Sequence, residues 1–299
     1  MKKHSNILLF SAGIIIGSGL FFRFTDKESS TTSIENHIYI PTNLNFCGES
    51  VPTEIVDVKE RMDREFLINI NLHSSTSLII KRANKFFPII EPILKKNGIP
   101  DDFKYLCVIE SALANATSSA GAKGFWQFMP ATAKEYNLEV SSTVDERNHL
   151  EKATEAACKY LKRAHNKFGN WTLVAASYNR GMGGIENQLN VQGVSDYYDM
   201  YLTEETSRYV FRILALKEIM QNADKYGYKL PSDALYRNVK TKSVAVNTSI
   251  PNLQTWALEQ GINYKTLKYH NPWLIDTSLT VASGKTYDII IPLEGHKKK

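Results

Sequence analysis

The sequence has few cysteines and little excess charge of either sign. Three cysteines among 299 residues are far too few for a disulfide-stabilised scaffold. Lys and Arg number 36 against 31 Asp and Glu, which leaves a small formal net charge of +5. The clearest basic run is the tail from Lys297 to Lys299. No nucleic-acid partner is therefore predicted, because such binders usually concentrate positive charge on one face.

Metal-ligand spacings are also absent. The 7 histidines form no HExxH motif and no other paired spacing typical of metal ligands. We predict neither a metal nor another cofactor. Hydrophobic residues make up 43% and charged residues 22%, which are globular proportions. The length favours two domains.

Long apolar runs are missing everywhere except at the N-terminus. Lys2, Lys3 and His4 precede a mostly apolar run over residues 7–22, a pattern typical of a secretion signal. The run is shorter than the roughly 20 residues that cross a bilayer comfortably, and no clear cleavage site follows it. Residues 1–24 are interpreted as a signal peptide or an N-terminal membrane anchor. Both interpretations export the rest of the chain to the periplasm or cell envelope.

Changes in composition divide the exported part into three segments. Residues 25–55 are rich in Ser, Thr and Asn, which is typical of a tether. Residues 56–232 show helical periodicity, and residues 236–294 form a small β-α-α-β unit. The clearest helices of the middle segment are predicted at residues 101–113, 130–136, 149–168, 171–179 and 204–225. The elements of the last unit are predicted at residues 240–246, 252–259, 264–269 and 287–291.

One carboxylate occupies a position where helical periodicity expects an apolar residue. Phe103, Leu106 and Cys107 form an apolar stripe, and the next position of that stripe is Glu110. Burial raises the pKa of a carboxylic acid, and a Glu that stays protonated near neutral pH is a general acid. From periodicity alone a second interpretation stays open, in which Glu110 turns outward at the helix end and pairs with an arginine.

A glycine-spaced loop over residues 121–130 carries two aromatic rings and an amide. Glycine lets the backbone approach a ligand closely, and aromatic faces with amides often line sites for polar, ring-shaped ligands. Phe125 and Trp126 are equally typical of a buried core. Further along, Tyr178 and Asn179 place two polar tips at a predicted helix end.

Taken in order, these motifs resemble a known family. They are similar to the catalytic domain of the family 1 lytic murein transglycosylases, which has a goose-lysozyme-like helical fold, and among these to the membrane-bound members. The resemblance covers about residues 81–230. The motifs are Glu110-Ser111, the Gly-x-x-Gly-x-Trp-Gln-x-x-Pro-x-Thr-Ala stretch of residues 121–133, Ala176-x-Tyr178-Asn179-x-Gly181, and the block of residues 204–210.

The resemblance implies an enzyme that cleaves the β-1,4 bond between MurNAc and GlcNAc in peptidoglycan glycan strands. The cut is non-hydrolytic and leaves 1,6-anhydro-MurNAc ends, with Glu110 acting first as general acid and then as base. Tyr209 would support the catalytic carboxyl through its hydroxyl. Substrate contacts are implied along the cleft, by Ser111, Gln127, Met129, Tyr178, Asn179 and Tyr209. Phe125 and Phe128 depart from the family, in which smaller aliphatic residues are common.

A single carboxylate among the motifs suits a reaction whose nucleophile lies within the substrate. Glu135, Glu139 and Asp145 lie in stretches predicted to be exposed. Two alternatives stay open, a hydrolytic goose-type lysozyme and a peptidoglycan-binding protein without activity. The expected partner is the glycan strand, with membrane anchoring through the N-terminus left open, and the protein is expected to be a monomer.

The C-terminal unit resembles a degenerate LysM module. Asn271-Pro272 and the segment before Pro292 carry the likeness, whereas the Gly-Asp-Thr opening of ordinary LysM modules is missing. Glycan binding and a purely structural role both stay open for this unit. Trp256 and Trp273 fit sugar stacking or a small core equally well. The predicted fold class is therefore mainly α, a lysozyme-like (goose-type) helical catalytic domain followed by a small β-α-α-β LysM-like domain.

Overall fold

The computed structural model describes residues 39–297. The N-terminal apolar run and residues 25–38 of the predicted tether lie outside the described residues, so the signal peptide or anchor stays a prediction. Over residues 39–297, none of the helices combines the length and the apolar character that crossing a membrane requires.

Helices dominate the described chain up to residue 221. They are α1 (Val56–Asn71), α2 (His73–Lys96), α3 (Phe103–Ser111), α4 (Pro130–Glu135), α5 (Leu150–Phe168), α6 (Trp171–Arg180), α7 (Met182–Gln192) and α8 (Glu204–Gln221). Short 3-10 turns lie at Glu146–Asn148, Ala223–Tyr226 and Ser232–Ala234. All five predicted helices of this segment are present within a few residues, although α8 ends earlier than expected and a 3-10 turn follows it.

Helix α8 lies at the centre of the helical domain. It packs against α1, α3 and α6, while α5 packs against α2 and α6. Because neighbours surround it, α8 buries residues on several faces instead of one stripe. Its buried residues include Tyr209, Val210, Phe211, Ile213, Leu214 and Leu216. Tyr209 therefore reaches the site from a helix that is packed on several sides.

Residues 44–51 are packed into the domain, so the predicted tether is wrong for this stretch. A hairpin of β1 (Asn45–Phe46) and β2 (Glu49–Ser50) lies against the helices. The Phe46 ring is fully buried, 5.2 Å from the Phe103 ring. The Glu49 carboxylate accepts hydrogen bonds from the backbone N–H groups of Trp171 (2.6 Å) and Thr172 (2.9 Å), at the start of α6. A carboxylate there satisfies free N–H groups and the helix dipole, and strands of two residues leave no periodicity to detect.

The sequence did not predict helix α7. It begins with Met182-Gly183-Gly184, and few of its residues are apolar. Glycine is a poor helix former, so this helix is stabilised by packing against α6.

The C-terminal domain has the predicted β-α-α-β order. Its elements are β3 (Thr241–Val246), α9 (Leu253–Glu259), α10 (Tyr264–His270) and β4 (Tyr287–Pro292). The two strands pair antiparallel, from Thr241 opposite Pro292 to Val246 opposite Tyr287. Side chains of Asn252 and Asn263 accept hydrogen bonds at the starts of α9 and α10. The predicted fold class is confirmed.

Candidate active site

Glu110 lies in the last turn of α3, where the helix ends sharply. Ala112 and Leu113 both adopt left-handed backbone conformations, with φ of 51° and 53°. Such conformations cost energy for residues with a Cβ and persist only when their surroundings hold them. Leu113 is buried in the core, and Arg82 Nη1 donates to the Ala112 carbonyl at 3.0 Å. The chain therefore turns away directly after Glu110-Ser111.

The Glu110 carboxyl is half-buried, and its partner is a tyrosine. The Tyr209 hydroxyl donates a hydrogen bond to Glu110 Oε1. Burial raises the pKa of Glu110 to about 7, with repulsion from Glu205 adding to the rise and Tyr209 and Arg212 opposing it. The interpretation in which Glu110 turns outward to pair with an arginine is therefore wrong. This side chain is a carboxylic acid that changes protonation near neutral pH.

The aromatic rings of the glycine-spaced loop belong to the core. Trp126 is fully buried, and its Nε1 donates to Thr154 Oγ1 at 2.9 Å. Phe125 is also buried, with its ring 4.8 Å from that of Phe86. The suggestion that these two rings line a ligand site is wrong, and the alternative of an ordinary buried core is correct.

Gln127 is hydrogen-bonded within the protein, whereas the Met129 side chain is exposed. Gln127 has a φ of 48°, and its Nε2 donates to the carbonyls of Ala116 (3.1 Å) and Gly124 (2.8 Å). Its amide nitrogen therefore braces the loop. Met129 is 43% exposed immediately before α4. Sugar contacts by both residues stay a prediction.

Tyr178 and Asn179 lie at the end of α6, on the side of Glu110. The Tyr178 hydroxyl donates to the Trp126 carbonyl at 2.9 Å, and its pKa is held far above the ordinary value by burial and by the charge of Glu110. Asn179 Nδ2 donates to Glu205 Oε1 at 3.0 Å. The structure thus brings Glu110, Tyr178 and Tyr209 together.

Ser111 is placed differently from its neighbour Glu110. It is buried, and its Oγ donates to the Cys107 carbonyl of the same helix at 3.2 Å. The two nearby cysteines, Cys107 and Cys158, are free and buried, as expected for small core residues.

Two carboxylates differ from expectation. Asp145 was predicted to be exposed but is 1% exposed, and Arg147 donates to both of its oxygens, from Nε at 2.8 Å and from Nη2 at 2.7 Å. Being paired, it is not a free second acid. Glu205 was missed, although it lies four residues before Tyr209 and so on the same face of α8. That spacing was the available signal.

The described residues offer no metal centre. Across residues 39–297, no group of three or more His, Cys, Asp or Glu side chains is arranged to hold a metal ion.

A helical domain in which a tyrosine supports one half-buried acid at a helix end has the design of lysozyme-like domains. Residues 87–200 match the Transglycosylase SLT domain, and residues 242–295 match the Soluble lytic transglycosylase C-terminal LysM-like domain. The chain therefore carries a transglycosylase SLT domain followed by a LysM-like C-terminal domain. The resemblance found in the sequence is confirmed.

Two named relatives are similar to this chain over most of its length. The chain is 30% identical over 217 residues to membrane-bound lytic murein transglycosylase D of Escherichia coli strains K12 and O6:H1, covering 71% of this chain and 47% of each relative. It thus spans about half the length of those relatives. A protein named for tributyltin chloride resistance, from Alteromonas sp. (strain M-1), is 31% identical over 121 residues, covering 40% of this chain and 58% of that protein.

Among solved structures, an inactive mutant of lytic transglycosylase Slt from Pseudomonas aeruginosa is similar to part of the chain. The identity is 22% and the TM-score 0.36, over 50% of this chain and 26% of that one.

Proposed function

We propose that this protein is a peptidoglycan lytic transglycosylase that cleaves the MurNAc-β-1,4-GlcNAc bond. The observation that carries the proposal is the raised pKa of Glu110, about 7, in a carboxyl that accepts a hydrogen bond from Tyr209. A group with this pKa gives and takes a proton with similar ease near neutral pH. One residue can therefore serve both halves of the reaction.

The reaction begins with proton transfer from Glu110 to the bridging oxygen, and the glycosidic bond breaks. The N-acetyl group of the substrate shelters the oxocarbenium-like centre at C1. The ionised Glu110 then takes the proton of the C6 hydroxyl, and O6 bonds to C1 to give 1,6-anhydro-MurNAc. Attack within one molecule carries a high effective molarity, so no enzyme nucleophile is needed. Tyr209 stays neutral throughout, because burial holds its pKa far above the ordinary value.

The C-terminal domain is proposed to hold the glycan strand beside the cleft. It has a cavity of about 540 Å³ between its helices and the loop before β4. Uncharged polar side chains predominate there, and such groups suit hydrogen bonding to sugars. The lining residues are Asn252, Gln254, Leu258, Asn263, Tyr264, Lys265 and Thr277. Trp273 is buried in the domain core with its ring 5.5 Å from Tyr287, so we assign it to packing.

An envelope location accompanies this function. The basic head and apolar run of residues 1–24 favour export, and the similar Escherichia coli protein is named as membrane-bound.

Glu205 gives a specific reason to keep hydrolysis as a second candidate. This exposed carboxylate lies close enough to Glu110 to raise its pKa, and Asn179 fixes one of its oxygens. A second carboxylate beside the acid could activate water, which would give reducing ends as in a lysozyme.

Mass spectrometry of digested sacculi tests the proposal. We expect anhydro ends from the wild-type protein and, for Glu110→Gln, a loss of release of about a thousandfold or more, because an amide has no proton to give. Glu186→Gln, an exposed carboxylate paired with Lys167, is the matched control. Reducing ends would establish hydrolysis, and no release by the wild type would leave only a binding protein.

A further inference from the structure

Residues 143–147 lie between the two domains and contact both of them. We call this stretch the bridging segment. It follows α4 in the helical domain, yet Val144 is fully buried within the core of the C-terminal domain. The segment is thus shared between the two cores instead of linking them loosely.

On one side, the bridging segment pairs with the C-terminal domain through its backbone. Val144 forms an antiparallel bridge with Leu274. The Asp145 N–H donates to the Trp273 carbonyl at 2.9 Å, and the Ile275 N–H donates to the Thr143 carbonyl at 3.0 Å. These bonds fix the segment in register with residues 273–275.

On the other side, Arg147 holds the glycine-spaced loop, which we call the cleft loop (residues 121–129). Arg147 is 4% exposed, and Asp145 binds its guanidinium at two nitrogens. The remaining nitrogen, Nη1, donates to the carbonyls of Gly121 (3.0 Å) and Phe128 (3.2 Å), which lie at opposite ends of the loop. A planar guanidinium with several fixed donors can make all these bonds at once, whereas a lysine ammonium cannot.

The backbone of the bridging segment also touches the cleft loop directly. A Cβ built on Gly124 would lie 1.8 Å from the Arg147 carbonyl oxygen, so only glycine fits there. Gln127 and Met129 are carried by this same loop. Any movement of the bridging segment would therefore displace Gln127 and Met129, the two residues of this loop that are predicted to contact sugar.

We propose that the C-terminal domain positions the cleft loop through the bridging segment, with Arg147 as the positioning residue. The mechanical part stands on contacts alone, while its effect on catalysis rests on the proposed function. Polysaccharide cleavage would then depend on the C-terminal domain even when that domain holds no glycan. A misplacement of about 1 Å at a reacting centre can reduce the rate about a hundredfold.

Hydrogen–deuterium exchange on the full chain tests the mechanical part without any activity. Arg147→Lys keeps the positive charge but loses the planar guanidinium and its fixed donors. We therefore expect exchange in residues 121–129 to rise about tenfold while α3 and α8 stay protected. Arg163→Lys changes an exposed arginine that pairs with Glu135 and serves as the matched control. Unchanged exchange in the cleft loop, or a rise of equal size throughout the protein, would overturn the proposal.

A second variant reaches the loop from the C-terminal side. Val144→Ala shortens the side chain that anchors the bridging segment, while Val244→Ala removes the same atoms elsewhere against the same core. We expect only Val144→Ala to increase exchange in the cleft loop. On a glycan too short to reach both domains, it should lower kcat by about tenfold with little change in KM.

The double variant of Arg147→Lys and Val144→Ala should have a kcat only slightly lower than that of either single variant, because both substitutions act through one segment. Additive losses, or equal effects of the two valine variants, would overturn the proposal. If no variant, including the wild type, releases product while exchange behaves as expected, the positioning role stands and the proposed activity fails.

Discussion

The surroundings of Glu110 and the cavity of the C-terminal domain are both candidate glycan sites, but they are built in opposite ways. At the first site an ionisable carboxyl is half-buried, and the backbone adopts unfavourable conformations at Ala112, Leu113 and Gln127. The cavity uses exposed or half-buried polar residues on α9 and α10, at the starts of these two helices, and on the loop before β4. At the first site, burial raises the pKa of Glu110 to about 7.

The same difference appears in how each site affects stability. Asn252 and Asn263 line the cavity and also accept hydrogen bonds from the first turns of α9 and α10, so they stabilise the helices they begin. Glu110, in contrast, destabilises the folded state when it is ionised, because a buried carboxylate is disfavoured. A site that performs chemistry reduces stability locally, whereas one that only binds need not.

After the loss expected for Glu110→Gln, the largest effect on activity is expected from Tyr209→Phe. We expect a loss of activity of about ten- to a hundredfold, because the hydrogen bond that supports the carboxyl is removed. The Tyr209 hydroxyl lowers the pKa of Glu110, so the alkaline limb of the pH–rate profile should move upward.

Tyr228→Phe is the matched control for that experiment. Its hydroxyl donates to the carbonyl of Ile70 at 2.8 Å, so the variant loses a comparable hydrogen bond far from the acid. Equal losses of activity in the two variants, or a fixed alkaline limb in Tyr209→Phe, would show that Tyr209 is only structural.

The stability of Glu110→Gln against pH gives the next effect. The folded pKa of about 7 lies above the ordinary 4.5, so the folded state binds the proton more tightly and loses stability as pH rises between these values. At about pH 8, the variant should be more stable than the wild type by ~1–3 kcal/mol, a gain that vanishes near about pH 4. Chemical denaturation at both pH values measures it, and a pH-independent difference would contradict the raised pKa.

The smallest effect is expected in the cavity. Gln254 is exposed on α9, and Gln254→Ala should weaken binding of chitin oligosaccharides by about two- to tenfold, the range for one net hydrogen bond. Thermal stability should stay the same. Lys242→Ala, on an exposed position of β3, is the control, and equal binding by all three proteins would remove the cavity as a glycan site.

Periodicity predicted the elements of this fold because the apolar faces of its helices and strands are regular. The stripe of Phe103, Leu106 and Cys107 is fully buried, and it located Glu110 correctly. The same approach failed for α7, whose glycines and few apolar residues give no helical signal. It failed again for the hairpin of residues 45–50, which is fixed by the side chains of Phe46 and Glu49 rather than by its own pattern.

In the candidate site, the local sequence pattern identified the relevant residue types, but it was less successful in predicting their burial and their hydrogen-bond partners. Asp145 was predicted to be exposed, and Trp126 was left open between a ligand surface and the core, whereas both are buried and hydrogen-bonded within the protein. Their partners, Thr154 and Arg147, are not visible in the motif of either residue. Glu205 was within reach of a spacing argument, since it shares a face of α8 with Tyr209.

The sequence alone determined the order of elements, the family and the position of the acid, because these follow from local periodicity and ordered motifs. The ordered motifs also implied that Tyr209 supports Glu110, 99 residues earlier in the chain, but only the tertiary structure decided how far burial raises the pKa of Glu110 and that Val144 enters the core of the other domain. Burial raises the pKa of Glu110, and long-range hydrogen bonds from Arg147 hold the cleft loop. Both depend on how distant segments pack, which the residues of one segment do not specify.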